Sequence, residues 1–369
     1  MEIPLSRPDI TQAERDAVTE VLLTPQLSLG PKLAEFERLV ADFVGTRHAV
    51  AVNSGTSGLH LCLRAMGVKP GDEVITTPFS FVASANCILF EGARPVFVDI
   101  DPGTWSIHPA RMAEAVTART RALLPVDIFG TLLDMDAIRA IADRHGLALL
   151  EDSCEALGAT YQGRRAGSFG DAGVFGFYPN KQITTGEGGM VVTNDERIYQ
   201  LVTSMRNQGR STGTGWLAHA RLGYNYRLSD INCALGIAQM KRIDEILAQR
   251  RRVAGWYQQR LRDESRLTMQ KLLPACQISW FVLVVRLTDD YTAQQRDQIM
   301  HRLRDQGIGC TNYFPPIHLQ PFYVEQFRYQ PGDFPVCEAL CDRTIALPFH
   351  NHLTESDVDT VCRELRRLL

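Results

Sequence analysis

The sequence predicts an α/β protein with a large domain, residues 1–249, and a smaller α+β domain, residues 250–369. In the large domain we expect a mainly parallel sheet covered by helices, because short apolar stretches alternate with helical ones from about residue 45 to 195. A long helical stretch then leads to a region that mixes strand and helix patterns. With 369 residues, of which 45% are hydrophobic, the chain is large enough to bury a sizeable core.

The alternation begins with a strand over residues 49–52. A helix follows it, because Leu59, Cys62, Leu63 and Met66 recur at helical spacing. Further elements are predicted as strands over residues 73–77, 95–99, 122–126 and 147–152, with a helix over 135–145. Ligands of such sheets bind at the carboxyl ends of the strands, where Asp152 ends the last one.

The second domain is predicted to begin with a single bridging helix over residues 239–261, in which the run Arg250 to Arg252 is interpreted as a solvated face. The elements predicted after it are a strand over residues 278–285, a helix over 292–306 and a capped helix from Thr354. The Pro- and Gly-rich residues 307–335 are predicted to form a long loop, and loops of that length are often functional.

Charge and cysteine content narrow the function. The formal net charge of −3 argues against nucleic-acid binding, and no apolar run reaches the ~18–20 residues of a membrane span. Nine cysteines without a CxxC motif favour free thiols in the cytoplasm. The pairs Cys337/Cys341 and His350/His352 lack the remaining ligands of a zinc site, so we expect no metal.

A polar, glycine-containing junction follows the first strand. The backbone amides of Gly55, Thr56 and Ser57 are expected at a helix N-terminus, where they and the two hydroxyl groups could bind one phosphate. The spacing is neither that of a P-loop nor that of a dinucleotide site. Taken alone, an ordinary capped helix explains the junction equally well.

Two further residues complete a pattern. Asp152 could satisfy local amides or pair with a protonated heterocyclic nitrogen, which at ~4 Å is worth about 4 kcal/mol at an effective dielectric near 20. Lys181 lies in a glycine-rich turn with apolar flanks, and only five of the 39 basic residues are lysine. An amine that must form an imine cannot be replaced by arginine, and partial burial favours its neutral form. Phosphate cradle, carboxylate and amine are the three anchors of pyridoxal 5′-phosphate (PLP).

The chain resembles the DegT/DnrJ/StrS family of PLP-dependent sugar aminotransferases almost end to end. The motifs that carry the resemblance are Leu29-Gly30-Pro31-Lys32, Val52-Asn53-Ser54-Gly55-Thr56-Ser57, Pro70-Gly71-Asp72-Glu73-Val74-Ile75, Gly167-Ser168-Phe169-Gly170-Asp171, Lys181 with Thr184-Thr185-Gly186-Glu187-Gly188-Gly189, Gly223-Tyr224-Asn225-Tyr226-Arg227, Pro315-Pro316-Ile317-His318 and Leu347-Pro348-Phe349-His350.

This resemblance implies a fold-type I aminotransferase dimer whose active sites are shared between subunits. Its implied roles are Lys181 as the catalytic amine and proton shuttle, Asp152 on the pyridine nitrogen, Gly55, Thr56 and Ser57 around the phosphate, Phe81 stacked on the ring, Asn225 reaching the partner's phosphate, and Arg227 on the amino donor's carboxylate. Tyr313 and His318 are candidate sugar contacts, and a structural role in the loop is an equal alternative for both. Likewise, core packing and a turn are the alternatives for Phe81 and Asn225.

Two positions depart from the family pattern. Glu155 replaces a frequent glutamine that contacts the cofactor's 3-oxygen, so its carboxyl group is expected to be protonated, turned away or engaged with substrate. Gly176 replaces a frequent serine that donates to the phosphate. A dehydrase branch of the family carries histidine at the position of Lys181, so the lysine favours transamination.

The resulting hypothesis is a cytoplasmic, homodimeric aminotransferase that moves an amino group from glutamate or glutamine to a keto-sugar, in particular a nucleotide-diphospho-keto-hexose. Two alternatives remain open. One is an aminotransferase for a keto-inositol ring, and the other is a non-catalytic PLP-binding regulator.

Overall fold

A seven-stranded sheet organises the larger part of the chain in the computed structural model, which describes residues 2–210 and 218–369. The strands, in chain order, are β1 (His48–Val52), β2 (Glu73–Thr76), β3 (Arg94–Phe97), β4 (Thr120–Leu123), β5 (Ala148–Asp152), β6 (Thr160–Tyr161), β7 (Arg164–Arg165), β8 (Ala172–Gly176), β9 (Gly189–Thr193), β10 (Leu267–Thr268), β11 (Cys276–Gln277), β12 (Leu283–Leu287) and β13 (Thr344–Leu347).

Helices cover this sheet and build the C-terminal part. They are α1 (Gln12–Leu22), α2 (Pro31–Val44), α3 (Gly55–Ala65), α4 (Ala83–Phe90), α5 (Pro109–Glu114), α6 (Met135–His145), α7 (Glu196–Arg206), α8 (Asp230–Lys241), α9 (Ile243–Leu261), α10 (Ala293–Asp305), α11 (Pro321–Phe327), α12 (Pro335–Cys341) and α13 (Glu355–Leu368), with 3-10 turns at Ile128–Gly130 and Ile317–Leu319. Within the two described ranges, no helix is both long and apolar enough to cross a bilayer.

The strand directions bring three chain segments to one edge of the large sheet. Its order is β1-β9-β8-β5-β4-β2-β3, and the pairs β3–β2, β2–β4, β4–β5 and β5–β8 are parallel. Because β9 is antiparallel to both β1 and β8, these two strands run in the same direction as the parallel group. The prediction of a mainly parallel sheet is confirmed, and the carboxyl ends of β1, β5 and β8 all lie at the same edge.

Side chains alternate between the two faces of the sheet along each strand, and each face carries its own hydrophobic core. In β1, Ala49 and Ala51 join the core formed with α2 and α6, whereas Val50 and Val52 join the core formed with α3 and α7. Both faces are apolar because helices cover both, as in doubly wound sheets.

A third core joins the sheet β10-β12-β13 to α9, α10 and α13. A domain boundary near residue 250 remains a prediction.

The single helix predicted over residues 239–261 is wrong. The structure has two helices, because Arg242 leaves helical geometry at φ −111° between α8 and α9. Its guanidinium bonds Glu14 at 2.8 Å and Glu245 at 3.2 Å, which ties the break to the N-terminus of α1. Glu14 is fully buried and also accepts hydrogen bonds from Thr11 and Gln239. A buried ion pair outside the helix thus decides where the helix ends.

Other boundaries also move. Residues 278–282 are not a strand, since Ser279 donates its backbone N–H to Gly130 and β12 begins at Leu283. The predicted loop 307–335 contains the 3-10 turn Ile317–Leu319 and α11, which starts on Pro321. The helix over residues 135–145 and the cap at Thr354 are confirmed, and the helix predicted over residues 292–306 is observed as α10.

We expect Glu14→Gln to lower the free energy of unfolding by about 2 kcal/mol at neutral pH, the scale of a hydrogen bond to a charged group. Burial alone would raise the pKa of Glu14, but the bonds from Thr11, Gln239 and Arg242 outweigh it and lower the pKa to about 2. The carboxylate therefore stabilises the fold at high pH, and that stability is lost as pH falls from about 4.5 towards 2.

Urea unfolding at several pH values measures this difference. The exposed Glu20 of the same helix offers a matched control, and Glu20→Gln should change stability little. A Glu14→Gln deficit that stays constant down to pH 2 would contradict the assignment of the charged state.

Candidate functional site

The N-terminus of α3 lies where the polar cradle is predicted after β1, but the Ser57 amide is not free as expected. Ser54 caps the helix, accepting the Ser57 N–H at 3.1 Å on its Oγ atom. The Ser57 hydroxyl lies 2.9 Å from the same oxygen. The first amides of a helix have no acceptor within the helix, so those of Gly55 and Thr56 point outward with the positive end of the helix dipole. This geometry suits an anion.

Close backbone packing explains why the cradle contains glycine. A Cβ atom on Gly55 would lie 2.7 Å from the Sγ atom of Cys154, two residues after Asp152. A Cβ atom on Gly189 would lie 2.5 Å from the carbonyl carbon of Ser54. The cradle therefore sits directly against the ends of β5 and β9.

Asp152 ends β5 in a buried, polar environment. Its side chain accepts a 2.6 Å hydrogen bond from the Ser84 hydroxyl on Oδ2 and a 3.3 Å bond from the Cys154 amide on Oδ1. The neighbouring Asp127 is also buried, and burial together with the negative charge of Glu151 raises its pKa well above the usual value. The raised pKa favours the protonated form of Asp127, which reduces the negative charge beside Asp152.

Lys181 lies at the same edge, in the turn between β8 and β9. Its side chain is 15% exposed, as the apolar flanks predict, and its Nζ atom is 4.2 Å from the centre of the Phe281 ring. Thr184 holds the turn by donating to the Phe177 carbonyl and accepting from the Gly186 amide. A partly buried amine is thus presented on a fixed loop.

Glu155 is the polar partner of that amine. Its Oε1 atom is 3.3 Å from Lys181 Nζ, and its Oε2 atom accepts the Phe129 N–H at 2.9 Å. Burial raises the pKa of Glu155, while Lys181 and the Phe129 amide act in the opposite direction. The Glu155 carboxyl group thus faces Lys181, and the three expectations for this residue towards the cofactor's 3-oxygen stay predictions.

The sequence analysis also considered Phe81 and Gly176 near the cofactor. Phe81 is 59% exposed beside Ser84, although Phe79 in the same loop is fully buried. Core packing therefore does not explain Phe81. At Gly176 a Cβ atom would meet nothing nearer than 3.5 Å, so steric crowding does not require glycine there.

Asn225 and Arg227 lie on a segment that passes the end of β1. The Asn53 amide donates to the Tyr226 carbonyl at 3.0 Å, and Val52 forms a β-bridge with Arg227. The Arg227 guanidinium is held by the Asn207 side chain at 3.0 Å. Asn225 is exposed, and within residues 2–210 and 218–369 no hydrogen bond joins its side chain to the Lys181 cluster.

The structure separates the two candidate sugar contacts. Tyr313 accepts a 3.3 Å hydrogen bond from Asn180, next to Lys181, and burial raises its pKa. His318 is fully buried and lies 3.0 Å from Glu338, and burial lowers its pKa. The geometry favours the structural role for His318, and Tyr313 stays a candidate sugar contact because it lies beside Asn180.

Sequence reasoning missed several residues that support the site, namely Ser84, Phe129, Phe281 and Arg250. The interpretation of Arg250 as part of a solvated face is wrong, since it is only 4% exposed. A signal was present, because Arg250 lies on the helical stripe of buried residues that includes Ile246, Leu247 and Val253. Ser84, Phe129 and Phe281 reach the site by long-range packing that no local pattern reveals.

Comparisons with known proteins agree with this arrangement. A sequence model described as the DegT/DnrJ/EryC1/StrS aminotransferase family matches residues 8–366. GDP-perosamine synthase of Caulobacter vibrioides is 40% identical over 369 residues, which covers 100% of this chain and 98% of that protein. Among solved structures, S. venezuelae DesV in complex with a ketimine intermediate superposes with a TM-score of 0.90 at 34% identity, covering 96% of this chain and 93% of DesV. The PLP form of a putative sugar aminotransferase from Streptococcus pneumoniae gives 0.94 at 27% identity, with both chains fully covered.

We expect Gly55→Ala to destabilise the protein by about 1–3 kcal/mol, because the new methyl group would overlap Cys154 Sγ. A second substitution, Cys154→Ala, should relieve that loss in the double variant. Gly255 in α9 has no atom within 4 Å of a built Cβ, so the control Gly255→Ala should instead stabilise by up to about 1 kcal/mol. Urea unfolding of the cofactor-free variants measures all four values, and additive effects of the two substitutions at positions 55 and 154 would contradict the contact.

Proposed function

The chain belongs to the DegT/DnrJ/EryC1/StrS aminotransferase family, and we propose that it moves an amino group from glutamate or glutamine to the ketone of a nucleotide-linked sugar. The observation that carries the proposal is the meeting of three groups at one sheet edge: the α3 cradle, Asp152 and the Lys181 amine. Each suits a different end of a single cofactor, and the spacing along the sheet edge is set by strand pairing.

The cofactor of this family is PLP, which supplies an electron sink for the bond changes at the amine-bearing carbon. The residues present fit it. Outward amides at Gly55 and Thr56 suit the phosphate, and the buried carboxylate of Asp152, oriented by Ser84, suits the pyridine nitrogen. The exposed ring of Phe81 is available to cover one face of the cofactor.

The Lys181 amine is the group that would bind the cofactor's aldehyde and then move a proton at the reacting carbon. Glu155 keeps the amine in place beforehand, because the Phe129 N–H fixes one carboxyl oxygen and the other faces Lys181 Nζ. An ionised Glu155 stabilises the protonated amine, and a protonated Glu155 can donate a hydrogen bond to an oxygen anion. Burial favours the protonated state of Glu155 by raising its pKa, and the Lys181 charge favours the ionised state.

Aromatic side chains form the wall beside the amine on which we expect the sugar to lie. The rings of Phe281 and Tyr313 are 6.4 Å apart and nearly parallel, and Tyr313 also stacks on Phe314 at 4.7 Å. The Tyr313 hydroxyl and Asn180 add polar contacts at the rim. GDP-perosamine synthase is 40% identical over this entire chain, which favours a nucleotide-linked sugar over a free keto-inositol.

We also propose a homodimer in which each active site receives Asn225 of the partner subunit. The support is the exposure of Asn225, which lies on the segment that bridges to β1 just before the cradle. Several large apolar side chains stay exposed in the single chain, among them Leu22, Leu23, Leu27, Leu29, Phe90 and Leu222. A second copy of the chain would bury them. Buried free thiols such as Cys62, Cys87 and Cys233 support a cytoplasmic location.

The protein reconstituted with PLP should show an absorbance band of bound cofactor that glutamate or glutamine bleaches. A keto-sugar linked to GDP should restore the band and yield an amino-sugar, detected by mass spectrometry. Lys181→Ala should abolish turnover, whereas Lys241→Ala, at a 64% exposed position, should leave it unchanged. Restoration by a keto-inositol alone would establish the cyclitol alternative, and cofactor binding without turnover of any ketone would establish a regulator.

Mixing inactive variants tests the shared site. A heterodimer of Lys181→Ala and Asn225→Ala chains contains one site with both residues intact. We expect the mixture to regain activity, up to about a quarter of wild type if chains pair at random. Each variant alone should stay low. Activity that fails to rise after verified subunit exchange would contradict the contribution of Asn225 across a dimer, without affecting the role of Lys181.

A further inference from the structure

We propose that Arg250 is a positioning residue for the reaction, a buried clamp that fixes the backbone of Lys181 and the backbone that carries Phe281 relative to one another. The inference rests on the proposed function for its catalytic consequence. The clamp itself rests on contacts alone.

One guanidinium group spans both segments. Its Nη2 atom donates to the Lys181 carbonyl at 2.7 Å, and its Nη1 atom donates to the carbonyls of Phe281 at 3.1 Å and Trp280 at 3.4 Å. Arg250 comes from the middle of α9, so it approaches the two segments from a third element of the fold. The planar fork of arginine suits this task, since its donors have fixed directions.

Burying the charged guanidinium group of Arg250 costs free energy of desolvation. Arg250 is 4% exposed, and within the described ranges its hydrogen-bond acceptors are backbone carbonyls, with no carboxylate in ion-pair contact. Burial lowers the pKa of Arg250 to about 10, and the charge of Asp9 partly opposes that shift. A neutral leucine at this position would fit the apolar stripe of α9 without that cost.

The residues around Arg250 include a histidine that does not add a second buried positive charge. His350 is 4% exposed and faces Arg7, Arg250 and His352. Burial and these positive neighbours lower the pKa of His350 to about 4, so its ring is neutral at pH 7. Arg250 is thus the one buried cation that bonds the lysine turn in the described part of the chain.

The clamp affects the reaction because the two backbone segments that Arg250 binds set the position of the Lys181 amine. Lys181 Nζ lies 4.2 Å from the Phe281 ring centre, and both residues have their carbonyls bound by Arg250. Gln182, the next residue along, is independently tied to Ser279 and Glu155 through its side-chain amide. Removing Arg250 would therefore loosen the Lys181–Phe281 pair while leaving the turn attached. A shift of about 1 Å at a reacting group can cost about 100-fold in rate.

The test compares Arg250→Gln with Arg251→Gln, its exposed neighbour on the same helix. In the cofactor-free protein, hydrogen exchange read by mass spectrometry should rise in peptides covering residues 177–186 and 279–283 for Arg250→Gln only. In the PLP-loaded enzyme, kcat for the glutamate half-reaction should fall by about 100-fold with KM changed less than about 3-fold. The circular dichroism of bound cofactor should change as well. Arg250→Lys keeps one charged donor and should recover part of kcat.

Each outcome decides the matter. Equal exchange patterns in the two glutamine variants would overturn the clamp, whatever the enzyme's substrate is. Increased exchange with unchanged kcat would show a clamp without a role in the reaction and would overturn the positioning role. If Arg250→Gln is insoluble, Arg250→Lys gives the same comparison. A Lys variant indistinguishable from wild type in exchange, kcat and dichroism would overturn the requirement for a guanidinium group that binds both segments at once. Because exchange is read without cofactor or sugar, these results stay separate from a failure of the proposed activity.

Discussion

The direction of the strands is the constraint on which the site depends. β1, β5 and β8 run the same way, although β9 lies antiparallel between β1 and β8, so their carboxyl ends share one edge. Each end delivers a different chemical group: an amide cradle after β1, a carboxylate on β5 and a lysine turn after β8. Residues more than a hundred positions apart meet because backbone hydrogen bonds align the strands. A register change in any pair would separate them.

Each carboxyl group at this edge has its own partner or environment. Asp152 is oriented by a hydroxyl group, burial raises the pKa of Asp127, and Glu155 faces the Lys181 amine. Burying several carboxyl groups together is unfavourable unless protons or hydrogen bonds offset the repulsion. These carboxyl groups lie close together at the position where a cofactor with one cationic end and one anionic end would find complementary groups. Arg250 adds the only buried guanidinium that binds the lysine turn within the described residues, and it does so through carbonyls that carry no net charge.

Most elements of the large sheet were predictable because their patterns are local. Apolar runs bounded by Gly, Pro and Asp placed β1, β2 and β5 within a few residues, and helical spacing placed α3 and α6. The errors occurred where distant contacts override a local pattern. The break between α8 and α9 follows from the pairing of Arg242 with Glu14, and residues 278–282 are diverted from strand geometry by the bond of Ser279 to Gly130. Neither partner is close in sequence.

The sequence by itself predicted the chemistry of the candidate site: which residue supplies an amine, which carboxylate ends a strand, and which turn could bind a phosphate, since these depend on residue type and near neighbours. It also carried enough ordered motifs to indicate the family. Only the tertiary structure decided that Glu155 faces Lys181, that His318 is buried beside Glu338 and that Arg250 points inward. The physical reason is that side-chain direction and partner depend on packing between elements, and packing is settled by contacts across the whole chain.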